Sequence, residues 1–228
     1  MAFIVIEGLD GAGKSTQIEK LGAYLTQKGI QHESLHFPRT DSPFFGELIA
    51  RFLRGELGDL NQVDPYVVAL LYAGDRKDAA GILNNWLNAG KTVILDRYVY
   101  SNIAFQCAKL TNETERLKLR NWIFDLEFSY FGIPKPDINI FLDVPFKFTV
   151  AKLTKHREGS DRDYLHGQSD IHEASLTFQE NVRQVYLNQP NLDNSFVVVP
   201  CSNAVGEMDE PEAIFKHVIK NIDHHLNI

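Results

Sequence analysis

Residues 8–15 of this chain read G-L-D-G-A-G-K-S, a glycine-rich loop with the pattern G-x-x-x-x-G-K-S. Residues 3–6 before it are apolar and mostly β-branched and predict a buried strand, and residues 17–28 after it have the apolar spacing of a helix. This order directs several backbone N–H groups and the positive end of a helix dipole at one anion. We therefore predict a nucleotide site in which Lys14 reaches the β- and γ-phosphates and the Ser15 hydroxyl binds Mg²⁺. The predicted nucleotide contacts are Gly8, Leu9, Asp10, Gly11, Ala12, Gly13, Lys14, Ser15 and Thr16.

The composition limits the partners that the chain can have. Of 228 residues, 44% are hydrophobic and 23% charged, and the net charge of −7 argues against a nucleic-acid polymer as partner. No apolar stretch approaches membrane-spanning length, so we expect no membrane partner. No basic leader precedes Glu7, which favours a strand over a signal peptide. Cys107 and Cys201 are too few and too far apart for a disulfide framework or a metal site, which favours a cytoplasmic location.

Five short apolar runs alternate with helical patterns along the chain. The predicted strands span residues 3–6, 33–37, 92–95, 138–142 and 196–199. The predicted helices span residues 17–28, 44–54, 65 to about 89, 101–109, 113–131, 146–155, about 171 to 187, and 210–226. This alternation predicts an α/β fold: a five-stranded parallel sheet, doubly wound with helices on both faces, as in P-loop NTPases. We find no linker and expect residues 1–228 to form a single domain with a mobile charged flap at about residues 155–169.

Three classes of P-loop protein compete for this sequence: a kinase of small molecules, a GTPase switch or ATP-driven motor, and a nucleotide-dependent binding module without catalysis. A GTPase needs an N-K-x-D motif after a strand, but residues 61–64 read N-Q-V-D and precede a helix. Residues 78–81, D-A-A-G, imitate a D-x-x-G switch inside a helical pattern. A motor usually carries a much larger apparatus. No feature demands the binding module, since Lys14, Ser15 and Asp96 are all present.

The arginines favour the kinase. Phosphoryl transfer needs cations on both sides of the transferred group and a flap that excludes water. Arg39 and Arg97 follow predicted strand tips, where ligands bind in such sheets, and Arg76 lies on a helix. Arg157 and Arg162 share the charged flap.

With these motifs the chain resembles the thymidylate kinases over nearly its whole length. The residues that carry the resemblance are 7–17 (E-G-L-D-G-A-G-K-S-T-Q), 37–40 (F-P-R-T), 71–76 (L-Y-A-G-D-R), 96–98 (D-R-Y) with Ser101, Asn102 and Phe105, 134–137, 141–144, and the arginine flap with Tyr164. The resemblance implies transfer of the ATP γ-phosphoryl to dTMP with Mg²⁺, giving dTDP, in an enzyme that is commonly a homodimer. The strongest alternative is a P-loop kinase of another nucleoside monophosphate or of a deoxynucleoside. A free nucleoside has no phosphate and would leave Arg97 and Arg39 without a use.

The resemblance also implies roles for single residues in binding dTMP. Asp10 would accept a hydrogen bond from the 3′-hydroxyl, and Arg97 and Arg39 would hold the monophosphate. The remaining implied substrate contacts are Tyr72 stacked on thymine, Arg76 on a thymine carbonyl, Ser101 and Asn102 at the base edge, Phe105 crowding C2′ of the sugar, and Phe37 and Tyr164. Asp96 would serve the metal, through a water on Mg²⁺.

The flap arginines have an implied role in the transfer itself. Some members of the family carry a basic residue beside the acidic one inside the loop, whereas here Asp10 is followed by Gly11. The sequence is similar to members in which the flap supplies the cation, here Arg157 or Arg162. The segment F-P-R-T-D-S-P after the second strand departs from better-known relatives, so which residue there contacts phosphate stays open.

Overall fold

The computed structural model describes residues 2–60, 62–153, 160–167, 170–173 and 175–226. Arg157 and the side chain of Arg162 lie outside the described residues, so the predicted flap contacts stay predictions. Within the described part, no helix combines the length and apolar character needed to span a membrane.

The strands form one parallel sheet of five, as predicted. They are β1 (Phe3–Gly8), β2 (His32–His36), β3 (Thr92–Asp96), β4 (Ile138–Asp143) and β5 (Phe196–Pro200), in the spatial order β2-β3-β1-β4-β5. Strand β1 is central and pairs with β3 and β4. Strand β1 lies between β3 and β4, so the strand order reverses next to β1. Parallel sheets of this type bind ligands at such a point.

Eight α-helices connect and flank the strands in the described residues. They are α1 (Lys14–Gln27), α2 (Phe45–Leu53), α3 (Pro65–Asn88), α4 (Val99–Cys107), α5 (Glu113–Phe124), α6 (Phe146–Leu153), α7 (Leu176–Asn188) and α8 (Pro211–Leu226). A wider π-helical turn, Asp125–Tyr130, continues α5, and a 3₁₀ turn spans Ser160–Leu165. The prediction of a helix from residue 171 was wrong, because α7 begins after Ser175, whose side chain caps it by accepting from the Phe178 N–H.

The two faces of the sheet bury separate cores. Along β1, Phe3 and Val5 face one core, while Ile4 and Ile6 face the other, as the two-residue period of a strand requires. The first core includes α4 and the aromatic residues of α7, and the second lies under α1 and α8. Helices therefore cover both faces, and the carboxyl edge of the sheet holds the loops that follow β1, β2 and β3.

Candidate active site

A cavity of about 900 Å³ opens at the carboxyl edge of the sheet. Most residues predicted for the site line it. They are Asp10, Gly11, Ala12, Gly13, Lys14, Ser15, Thr16, Phe37, Arg39, Tyr72, Arg76, Asp96, Arg97, Ser101, Asn102, Phe105 and Tyr164. Gly8 and Leu9 are buried beneath the loop that forms one wall of the cavity.

The glycine loop has the backbone that its sequence predicts. Gly11 and Gly13 have φ of 75° and 82°, in the left-handed region that glycine adopts without strain. Helix α1 therefore begins at Lys14, three residues earlier than predicted, and its first N–H groups face the cavity end of the sheet. The Lys14 ammonium donates to the Leu9 carbonyl oxygen at 3.3 Å, and burial lowers its pKa. Ser15 is exposed beside it.

Asp96 at the end of β3 is a carboxylate suited to a metal-bound water. Its Oδ1 is buried, has no hydrogen-bond partner among the residues that the structure describes and lies 3.9 Å from the Lys14 Nζ. Its Oδ2 lies 3.2 Å from the His36 Nδ1. Burial raises the pKa of Asp96, but Lys14 and His36 outweigh burial and hold it below its ordinary value. An ionised carboxylate and the exposed Ser15 hydroxyl, both at the phosphate loop, are oxygen ligands of the kind that Mg²⁺ prefers.

Arg97 lies beside the phosphate loop in an unusual backbone conformation. Its φ is 67°, which is uncommon for a residue other than glycine. Its NH2 donates to Asp10 Oδ1 at 2.8 Å, and its NH1 donates to Ser101 Oγ at 3.1 Å. Burial opposes the positive charge, but Asp10 and other acidic neighbours outweigh burial and raise the pKa of Arg97.

The fully buried carboxylate of Glu7 fixes the turn that carries Arg97. Its Oε1 accepts from the backbone N–H groups of Tyr98 and Ser101, at 2.9 and 3.2 Å. Its Oε2 accepts from the Ser101 hydroxyl at 2.5 Å and the Tyr186 hydroxyl at 2.9 Å. Burial raises the pKa of Glu7, and the hydrogen bond from Ser101 and the charge of Arg97 act against burial. The Ser101 hydroxyl therefore donates its hydrogen bond to Glu7, and the contact of Ser101 with a base stays a prediction.

Arg76 is held by a carboxylate that we did not predict from the sequence. Its Nε and NH2 donate to the two oxygens of Glu127 at 2.5 and 2.7 Å, and both residues are almost fully buried. Asn102 also donates to Glu127 Oε1, at 3.1 Å. Within the described part of the chain, the Asn102 Oδ1 is buried without a hydrogen-bond partner. Glu127 lies in the π-helical turn between Leu126 and Phe128, so the only sequence signal was an acidic residue between two hydrophobic ones.

Arg39 lines the cavity but is engaged by acidic residues of α3. Its Nε donates to Asp75 Oδ1 at 2.8 Å, and its NH2 donates to the Asp75 carbonyl and to Asp78 Oδ2. Burial opposes its charge, and Asp78 and Asp75 outweigh burial and raise its pKa. These contacts leave NH1 for a ligand, and the role of Arg39 in holding phosphate stays a prediction.

Aromatic and acidic side chains form another part of the cavity wall. The Phe105 ring centroid lies 5.3 Å from the Arg97 Cζ, and Tyr72 is half-buried in the wall. The Tyr164 hydroxyl donates to Asp170 Oδ2 at 2.9 Å. Burial and the nearby charge of Asp10 raise the pKa of Asp170 to about 7.

Further cavity residues were missed at the sequence level. Gln106 lines the cavity, and neither of its buried amide atoms has a hydrogen-bond partner in the described ranges. Asp170 and His172 line the cavity from the segment before α7. Gln179 on α7 donates to Asp10 Oδ2 at 3.4 Å. Gln106 follows Asn102 by four residues, and this helical spacing was the one signal that could have found it.

The parallel sheet, the phosphate loop and the arginines that line the cavity define the class of P-loop kinases of small molecules. The family model for thymidylate kinase matches residues 6–210. The chain belongs to the thymidylate kinase family, as the sequence motifs predicted. It is an ATP-dependent nucleoside monophosphate kinase that phosphorylates dTMP to dTDP.

Individual relatives agree with the family model. The thymidylate kinase of Mycobacterium tuberculosis is 40% identical over 184 residues, which cover 80% of this chain and 83% of the relative. A probable thymidylate kinase of Thermococcus kodakarensis is 32% identical over 226 residues, 97% of each chain. The solved structure of thymidylate kinase from Candida albicans superposes with a TM-score of 0.72 at 26% identity, covering 99% of this chain and 92% of that one.

The buried pair of Arg76 and Glu127 gives a stability prediction. Glu127→Ala leaves a buried guanidinium without its counter-charge and should lower the free energy of unfolding by about 3–5 kcal/mol in urea titrations. The control is Glu212→Ala, which removes an exposed partner of Lys20 and should cost less than about 1 kcal/mol. Equal losses in the two variants would contradict the importance of burial.

Proposed function

We propose that dTMP and ATP meet over the glycine loop, with the dTMP phosphate at Arg97. The observation that carries this proposal is the Arg97–Asp10 ion pair, which joins a buried guanidinium to a carboxylate of the phosphate loop itself. A dTMP phosphate would receive the Arg97 guanidinium, and Asp10 would accept from the 3′-hydroxyl of the same molecule. The acceptor phosphate would then lie next to the loop that holds the triphosphate, as phosphoryl transfer requires.

We assign ATP and Mg²⁺ to the side of the cavity opposite dTMP, across the point where the two phosphates would meet. The loop N–H groups from Gly11 to Thr16 and the Lys14 ammonium would bind the triphosphate. Mg²⁺ would be held by the Ser15 hydroxyl and, through water, by Asp96, whose unpartnered Oδ1 supports this role. The ion would neutralise charge that builds up on the phosphates.

We assign the thymine base to the wall formed by α3 and α4. Two nitrogens of Arg76 bind Glu127, so its remaining NH1 would donate to a thymine carbonyl. Asn102 Oδ1, which is buried and has no partner in the part of the chain that the structure describes, would accept from thymine N3–H. Tyr72 would stack on the ring, with Phe37, Tyr164 and Phe105 as further contacts, Phe105 narrowing the space at C2′.

A panel of acceptors tests this arrangement. Coupled ADP release with dTMP, dUMP, dGMP, UMP and thymidine should show the highest kcat/KM for dTMP. Thymidine should react at least about a hundredfold less well, because it offers Arg97 no phosphate. Equal use of thymidine and dTMP would contradict the assignment of Arg97. Lys14→Ala is the control variant: any ADP that it releases does not depend on the glycine loop.

We further propose that Arg157 or Arg162 neutralises the transferred phosphoryl. This proposal rests on the family resemblance and on Gly11, which occupies the position where some members of the family have a basic residue. Arg157→Ala or Arg162→Ala should then lower kcat by up to about a thousandfold while changing dTMP binding much less. Steady-state kinetics with Lys220→Ala on the exposed face of α8 as control provide the comparison. Wild-type turnover in both flap variants would refute the assignment.

We also propose a homodimer of single-domain chains in the cytoplasm. Val67 and Leu70, one turn apart on α3, are 53% and 43% exposed and would form the contact between the two copies. Cys107 and Cys201 are free, buried thiols, consistent with a reducing compartment. Leu70→Asp should dissociate the dimer in sedimentation velocity experiments, whereas Leu192→Asp, at an equally exposed position elsewhere, should not. A monomeric wild type would exclude this interface.

A further inference from the structure

His172 is a histidine in a cluster of phenylalanines. Its ring centroid lies 4.8 Å from that of Phe105, 5.5 Å from Phe52 and 5.6 Å from Phe178. The residue is 6% exposed and lines the cavity, and its Nε2 has no hydrogen-bond partner among the described residues. A phenylalanine would fill such a cluster equally well. Packing alone therefore does not account for an imidazole at this position.

The surroundings keep this imidazole neutral. Burial, together with the charge of Lys109, lowers the pKa of His172 to about 3. A neutral imidazole offers one N–H donor and one acceptor nitrogen. It can donate to a hydroxyl group or accept from one, whereas to a phosphate or a carboxylate it offers an N–H donor but no counter-charge.

Hydrogen bonds and ring contacts place His172 at the sugar end of the cavity. The Gln179 side-chain amide donates both to Asp10 Oδ2, at 3.4 Å, and to the His172 carbonyl oxygen, at 2.9 Å. On the other side, Phe105 contacts the Arg97 guanidinium and the imidazole together. His172 thus neighbours the residues to which the proposed function gives the 3′-hydroxyl and the phosphate.

We propose that His172 is a specificity-determining residue that hydrogen-bonds the 2′-hydroxyl of a ribonucleoside monophosphate, so that ribose acceptors are secondary substrates. This inference rests on the proposed position of the sugar beside Asp10. In dTMP the C2′ atom carries only hydrogen, and the imidazole contributes packing. In a ribose acceptor the hydrogen bond from or to His172 offsets part of the crowding by Phe105.

The test compares two acceptors that differ only in this hydroxyl: dTMP and 5-methyluridine 5′-monophosphate. The measured quantity is the ratio of their kcat/KM values in the wild type and in His172→Phe. We expect the preference for dTMP to rise about tenfold or more in His172→Phe, through a loss confined largely to the ribose acceptor. His172→Gln, which restores a donor and an acceptor, should recover part of that loss.

Two further variants distinguish a hydrogen bond at His172 from a general disturbance of the aromatic cluster and from a different sugar position. Phe178→Leu disturbs the same cluster without removing a polar group, and it should change kcat/KM for both acceptors by the same factor. Asp10→Asn should lower both acceptors together, and failure there would count against the proposed sugar position instead. An unchanged ratio in His172→Phe, or the same ratio shift in Phe178→Leu, would overturn the role of His172.

Discussion

The site depends on one buried arrangement of charges at the carboxyl end of β1. Glu7, the last side chain of that strand before the loop, accepts four hydrogen bonds, two of them from the backbone at the start of α4. These bonds hold Arg97 in a left-handed conformation in which its guanidinium meets Asp10. A carboxylate that is fully buried is costly unless it is paired and hydrogen-bonded in this way. The network therefore fixes the distance between the glycine loop and the turn that carries Arg97.

Ion pairs similarly hold Arg76 and Arg39 in place in the cavity wall. Glu127 orients Arg76 and Asn102 together, so that one buried carboxylate positions two side chains proposed to read the base. Asp75 orients Arg39 by accepting from both its backbone N–H and its guanidinium. Side chains held in this manner lose little conformational freedom on binding, which favours accurate placement of two phosphorylated ligands.

Most of the fold was predictable because the strands are short, apolar and separated by clear helical patterns. Predictions failed at boundaries: α1 begins at Lys14 because Gly13 can take a positive φ directly before it, and α7 begins only after Ser175. Apart from Tyr164 in the 3₁₀ turn, the predicted cavity residues converge because they follow strand tips or lie on α3 and α4. The roles of Arg157 and Arg162 rest on the sequence and remain predictions.

The sequence by itself determined the phosphate loop, the parallel sheet and the family, because each can be recognised from short motifs or patterns of residues that are neighbours along the chain. Only the tertiary structure decided the partners of these residues. Glu127 reaches Arg76 across 51 positions, and Gln179 reaches Asp10 across 169. Such pairs depend on how helices pack on the sheet. The sequence around a polar side chain does not indicate which distant segment will bury it.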